Sequence, residues 1–118
     1  MPLARESFRV VAWLFLVALV VQFFLGGLGT LGGESIDPHR LLGATVLTLT
    51  PIAMLLLAIA GHLGRAVIAM TALLVALVIL LTVFVQLDGA WLKALHVPGA
   101  LVVFALAHGL ARRVRRVA

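Results

Sequence analysis

Two histidines stand at corresponding places in this chain, His39 in "DPHRLLGA" and His96 in "ALHVPGA". Imidazole is the commonest metal ligand among neutral side chains and a ready proton carrier, so a matched pair is the first candidate for chemistry. The surroundings repeat as well. Gly32 precedes His39 by seven residues and Gly89 precedes His96 by seven. Gly43 follows the first histidine by four positions and Gly99 follows the second by three. Gln22 and Gln86 close the apolar runs that lead into each region. The pattern hints at a duplicated helical hairpin.

The elements that must position these residues lie in a membrane. Of 118 residues, 64% are hydrophobic and only 11% are charged, whereas a soluble domain has about a quarter of its residues charged. A spanning helix needs about 20 mainly apolar residues. Four runs qualify, about 8–28, 39–60, 66–87 and 97–111, the last extendable back through 91–96. The expectation is one all-α domain over 1–118, a four-helix up-down-up-down bundle with no separate soluble part. The first run has a basic start but is too long for a signal peptide and has no small-residue cleavage site after it, so it reads as a retained helix.

Charge supplies an orientation. The net charge is +5, and its distribution argues against nucleic acid as a partner. Arg5, Arg9, Arg65, Arg112, Arg113, Arg115 and Arg116 fall on one side of an alternating bundle, and only Arg40 and Lys93 on the other. The positive-inside rule then makes both termini cytoplasmic, with "RRVRR" touching anionic lipid heads. His39 and His96 come out at the external ends of the second and fourth helices, which run in the same direction. Asp37 is expected to cap the second helix, with Pro38 at its first position, and Pro98 to open the main part of the fourth.

Two imidazoles opposed at one depth in a bundle suit a planar metal cofactor with axial histidines, a b-type heme. On that reading His39 and His96 ligate the iron. Gly43 and Gly99, one turn inward, leave room for the macrocycle. Gln22, Gly26 and Gly29 share a face of the first helix and form a flat wall. Arg40 and Lys93 stand at the rim to pair with propionates.

Other candidates are weaker. His108 lies twelve residues beyond His96, ~18 Å deeper and turned by about 120°. His62 belongs to the turn "GHLGR"; both read as structural. Thr45, Thr48 and Thr50 precede Pro51, where hydroxyls can satisfy carbonyls that the proline frees. Thr71, Thr82 and Gln86 fall on one face with Val75 and Val78, a face expected to look inward. There is no cysteine, which excludes disulfides and thiolate metal sites. No carboxylate or lysine lies inside a span, as an ion-coupled transporter normally needs. The only serines, Ser7 and Ser35, do not suit a serine hydrolase.

The segments "VQFFLGGLGTLGG", "HRLLGA" and "VQLDGAWLKALHVPGALVVFALAHGLARR" together resemble one four-helix half of heme A synthase. Small uncharacterised four-helix membrane proteins share the "HR" and "LH" pattern. The resemblance implies the cofactor-holding half, with His39 and His96 at the ligand positions and Arg40 at the arginine after the first histidine. It departs where the family's catalytic half has a glutamate just before its first histidine. Here Glu34 lies five residues upstream and Asp37 two, and the family's external cysteine pair is missing.

The expectation is therefore a multi-pass protein of the cytoplasmic membrane that holds one heme b near its external face. Its use would be electron transfer or the handling of heme, with the bilayer and heme as partners and a homodimer or larger complex as a way to rebuild eight helices. A cofactor-free accessory or assembly subunit is the rival. A heme-modifying enzyme, with Glu34 or Asp37 near the reacting edge, is the third reading.

Overall fold

A computed structural model describes residues 2–114; Arg115, Arg116 and Ala118, named above or below for orientation, lie outside the described residues. Among the described residues the structure is all helical. In chain order the helices are α1 (Pro2–Thr30), α2 (Asp37–Ala44), α3 (Val46–Ala60), α4 (Arg65–Phe84), α5 (Ala90–Ala94) and α6 (His96–Arg113). With α2 joined to α3 and α5 to α6, four stretches are long and apolar enough to cross a membrane: Pro2–Thr30, Asp37–Ala60, Arg65–Phe84 and Ala90–Arg113.

The buried positions explain the association. In α1 they include Phe8, Ala12, Phe15, Leu19 and Gln22, and in α4 Val67, Thr71, Leu74, Val78 and Leu81. Spacings of four and three alternate, the repeat of bundle packing in which side chains of one helix insert between those of the next. In α3 the stripe is Leu47, Pro51, Met54 and Ala58, and in α6 Val103, Ala107 and Leu110. Helix α1 packs on α3 and α6, and α4 packs on the same two. The four close into a ring with α1 opposite α4 and α3 opposite α6.

The helix bounds differ from expectation in ways that bear on the site. The first helix starts at Pro2 rather than near residue 8, and the third ends at Phe84 rather than 87. The second is broken at Thr45 (φ −106°, ψ −89°) and not at Pro51, which sits buried inside α3. The threonine hydroxyls explain this: Thr45 Oγ1 donates to Leu41 O at 2.7 Å and Thr48 Oγ1 to Gly43 O at 2.6 Å. A hydroxyl reaching five residues back opens the helical ladder there. The fourth loses one helical hydrogen bond near Leu95, because Pro98 has no N–H to offer the Ala94 carbonyl, but Leu95 itself stays helical (φ −64°, ψ −18°). His96 is thus the first residue of α6 rather than a residue ahead of it.

Asp37 is the first residue of α2, not its cap. The flanking residue is Ile36, without a side-chain cap, and Ser35 Oγ accepts from the Asp37 N–H at 3.1 Å. Neither α2 nor α5 contains a buried residue.

Candidate functional site

The inward stripe of each helix changes character toward one end. On α1 it passes from Phe15, Leu19 and Gln22 to Gly26 and Gly29, and on the second span from Met54 and Leu47 back to Gly43 and His39. On α6 it runs back from Leu110 and Val103 to Gly99 and His96. Glycines and histidines there leave space, and two cavities fill it. One, of about 330 Å³, is mainly apolar and opens between α1 and α6, past Phe23, Gly27, Val97 and Leu101. The other, of about 390 Å³, lies between α2 and α4 and is bordered by Arg40, Ala44, Val85 and Gln86. Gln22, His39, Gly43, Thr82 and His96 line both.

His39 and His96 meet across the bundle between these cavities. Their ring centroids are 6.1 Å apart and the ring planes stand at 71°. Each ring is tied to the preceding long helix: His39 Nδ1 lies 3.0 Å from the Gln22 carbonyl oxygen and His96 Nδ1 3.3 Å from that of Leu81. A carbonyl only accepts, so in these bonds Nδ1 carries the proton. In the neutral rings Nε2 then keeps its lone pair, the arrangement that metal-ligating histidines commonly show.

Gln22 holds His39 a second time, its Nε2 donating to the His39 carbonyl at 2.9 Å. That bond sets the amide's orientation, and the other end, Oε1, is buried without a partner. An unpaired buried acceptor costs about 1–3 kcal/mol, which fits a group meant to meet something bound in the cavities it lines. Gly26 lies under the His39 ring: a Cβ there would sit 3.0 Å from both Cε1 and Nδ1. Gly43 faces Gln22, where a Cβ would come within 2.9 Å of Nε2.

Several sequence-based expectations are corrected. Gly99 borders neither cavity; it packs against Leu81 of α4, so its smallness serves helix contact. Gly29 leaves room for Ile36 rather than for a ligand. Gln86 is exposed and bonds Thr82 O of its own helix, and so is no counterpart of buried Gln22. On the same face Thr71 and Val78 are buried and Val75 and Thr82 half-buried. Arg40 is exposed at the edge of the second cavity, 4.0 Å from the Asp37 carboxylate. Lys93 is exposed on α5 and borders neither cavity, and the same holds for Glu34 and Asp37. The role of the Leu81 carbonyl has no sequence signature, because any residue supplies one.

The remaining histidines sit elsewhere. His62 adopts φ 49° in the turn between α3 and α4, and His108 meets Trp13 edge-on at 6.3 Å. Among the described residues no three of His, Asp and Glu gather as a metal would need from side chains alone; the convergence is a pair.

Fold and site together define a small four-helix bundle of membrane-spanning dimensions with a paired-histidine cavity at one end. The chain belongs to a family of unknown function, DUF6220, whose sequence profile matches residues 22–87, from Gln22 past His39 and through α4. No curated protein and no solved structure matches it.

Proposed function

We propose that this chain is a membrane protein that holds one b-type heme between His39 and His96 and serves electron transfer or the holding and handling of heme. The observation that carries the reading is the histidine pair: two rings on diagonal helices, each with Nδ1 tied to a carbonyl and Nε2 left for a metal. Their spacing fits opposed ligands. With metal–nitrogen bonds of about 2 Å and roughly 1 Å from nitrogen to ring centre, trans imidazoles have centroids roughly 6 Å apart, and tetrahedral ones about 5 Å. The separation here is 6.1 Å.

The two cavities flank the pair on opposite sides, as a plane between the rings requires. Arg40, at the edge of the second one, suits the propionates. Bound heme supplies a one-electron couple. His39 and His96 would hold it, with Gln22 and the Leu81 carbonyl orienting their rings, and the apolar residues of the first cavity would keep water away. The resemblance to one half of heme A synthase adds support. In heme A synthesis itself a carboxylate would be needed near the cofactor; neither Glu34 nor Asp37 lines a cavity, and Asp37 faces Arg40 at the edge of the second, so holding rather than transforming heme is the reading favoured.

The distribution of basic residues supports an up-down-up-down course through the cytoplasmic membrane with both termini inside, which puts the histidine pair near the external face. Cysteines at Ser35 and Gly89 should then react with an impermeant thiol reagent from outside, and one at Ala118 should not. The cofactor is tested by the absorption spectrum of detergent-purified protein from heme-replete cells. Sharp low-spin bands on reduction are expected, lost or turned high-spin in His39→Ala and His96→Ala and retained in His62→Ala and His108→Ala. A colourless wild-type protein would overturn the proposal and favour an accessory subunit.

A further inference from the structure

The histidine rings do more than converge: each is held at a set angle by groups of its own hairpin. Ring planes 71° apart are close to crossed. On the His39 side two features bear on the ring itself and one on its backbone. The Gln22 carbonyl accepts from Nδ1, the Gln22 side-chain amide donates to the His39 backbone carbonyl, and Gly26 leaves the space beside Cε1 and Nδ1 that a Cβ would crowd to 3.0 Å. On the His96 side the Leu81 carbonyl takes the Nδ1 proton. The close approach of Leu81 to Gly99 fixes α6 against α4 at the same level.

We infer that Gln22 and Gly26 are positioning residues that hold His39 crossed relative to His96, so that a bound iron carries axial imidazoles in crossed planes. This rests on the heme reading above and adds an electronic property to it. An axial imidazole donates π-density into the iron d orbital perpendicular to its ring. Parallel rings load one such orbital and split the pair; crossed rings load both and leave them nearly equal in energy. Orientation of the ligands by their hydrogen-bonded surroundings is one of the means by which a protein tunes such a centre.

The difference is read directly by low-temperature electron paramagnetic resonance of the oxidised, heme-loaded protein in detergent. Crossed rings give a single feature at large g. Parallel rings give a resolved three-line rhombic spectrum. The wild-type protein is expected to show the former, with low-spin optical bands. Gly26→Ala puts a methyl group 3.0 Å from two ring atoms, so the ring must turn and the large-g feature must move, with heme content retained. Gln22→Leu keeps the carbonyl but releases the second grip, and the feature should broaden as the ring samples a range of angles. Gly109→Ala on α6 meets only Met70 Cε at 3.9 Å and should leave the spectrum unchanged.

A protein with low-spin optical bands and a rhombic three-line spectrum would overturn this inference while leaving the heme reading intact. So would a Gln22→Leu variant whose large-g feature keeps its position and width. A colourless wild-type protein would remove both.

Discussion

Away from the histidines the four long helices meet through side chains with no exposed surface, among them Phe8, Met54, Leu74 and Leu110. Around Gln22, His39 and His96 the same four enclose cavities of about 330 and 390 Å³. The second span departs from regular helix at Thr45 near the open end, and the residues at the inward positions there are smaller. In lipid, helices gain little from hydrophobic transfer and associate through close packing and hydrogen bonds. The closed end can therefore hold the bundle together, which frees the open end to be hollow. Close packing and open space fall to different turns of the same spans.

That division is broken most forcefully at the closed end. Met54→Ala or Leu110→Ala should cost about 2–5 kcal/mol, seen as a lower midpoint of thermal unfolding in detergent, with the shape of the heme spectrum unchanged below it. The converse substitution is Gly43→Leu. A branched side chain there displaces the Gln22 amide and enters both cavities, so most bound heme should be lost while the apoprotein unfolds as before. Equal damage to both readouts from either variant would show that the ends are not separate.

Smaller effects sharpen the picture at the rim. Arg40 is three-quarters exposed, and exposed ion pairs contribute about 1 kcal/mol or less. Arg40→Ala should therefore weaken heme affinity by about fivefold or less, measured by heme titration of apoprotein. Least of all should come from Glu34→Gln and Asp37→Asn. Neither residue lines a cavity, so spectra should be unchanged and heme extracted from each should have the mass of unmodified heme b. Formylated or hydroxylated heme in the wild type, abolished in either variant, would establish an enzyme.

The sequence carried the helices and the histidine pair well, because apolar runs of spanning length and matched depth are written in residue types. It carried the glycines unevenly. Gly26 and Gly43 do make room at the site, whereas Gly99 and Gly29 make room for Leu81 and Ile36; both uses look alike in a single sequence. The lost helical bond was legible at Pro98, but not the break at Thr45, where hydroxyl-to-carbonyl bonds rather than a missing N–H decide. Gln86 looked like a partner to Gln22 from spacing, yet the part of Gln22's work that recurs on α4 is a backbone carbonyl, that of Leu81. Hydrogen bonds of the main chain leave no trace in composition.

Helices α2 and α5, which carry His39 and directly precede His96, contain no buried residue of their own, and α2 is set off from the long helix that follows by the distorted Thr45. Segments with few buried contacts open locally at far less free energy than the whole structure needs to unfold. Amide protons of α2 should accordingly exchange with solvent ahead of those in the buried turns of α3, even where both are fully hydrogen-bonded. If heme is the occupant, the consequence concerns how a rigid disc about one helix-diameter across gets between two side chains already in contact. On that reading it would not need to pry the bundle apart: opening of the eight-residue α2 would be enough, with the packed end staying shut.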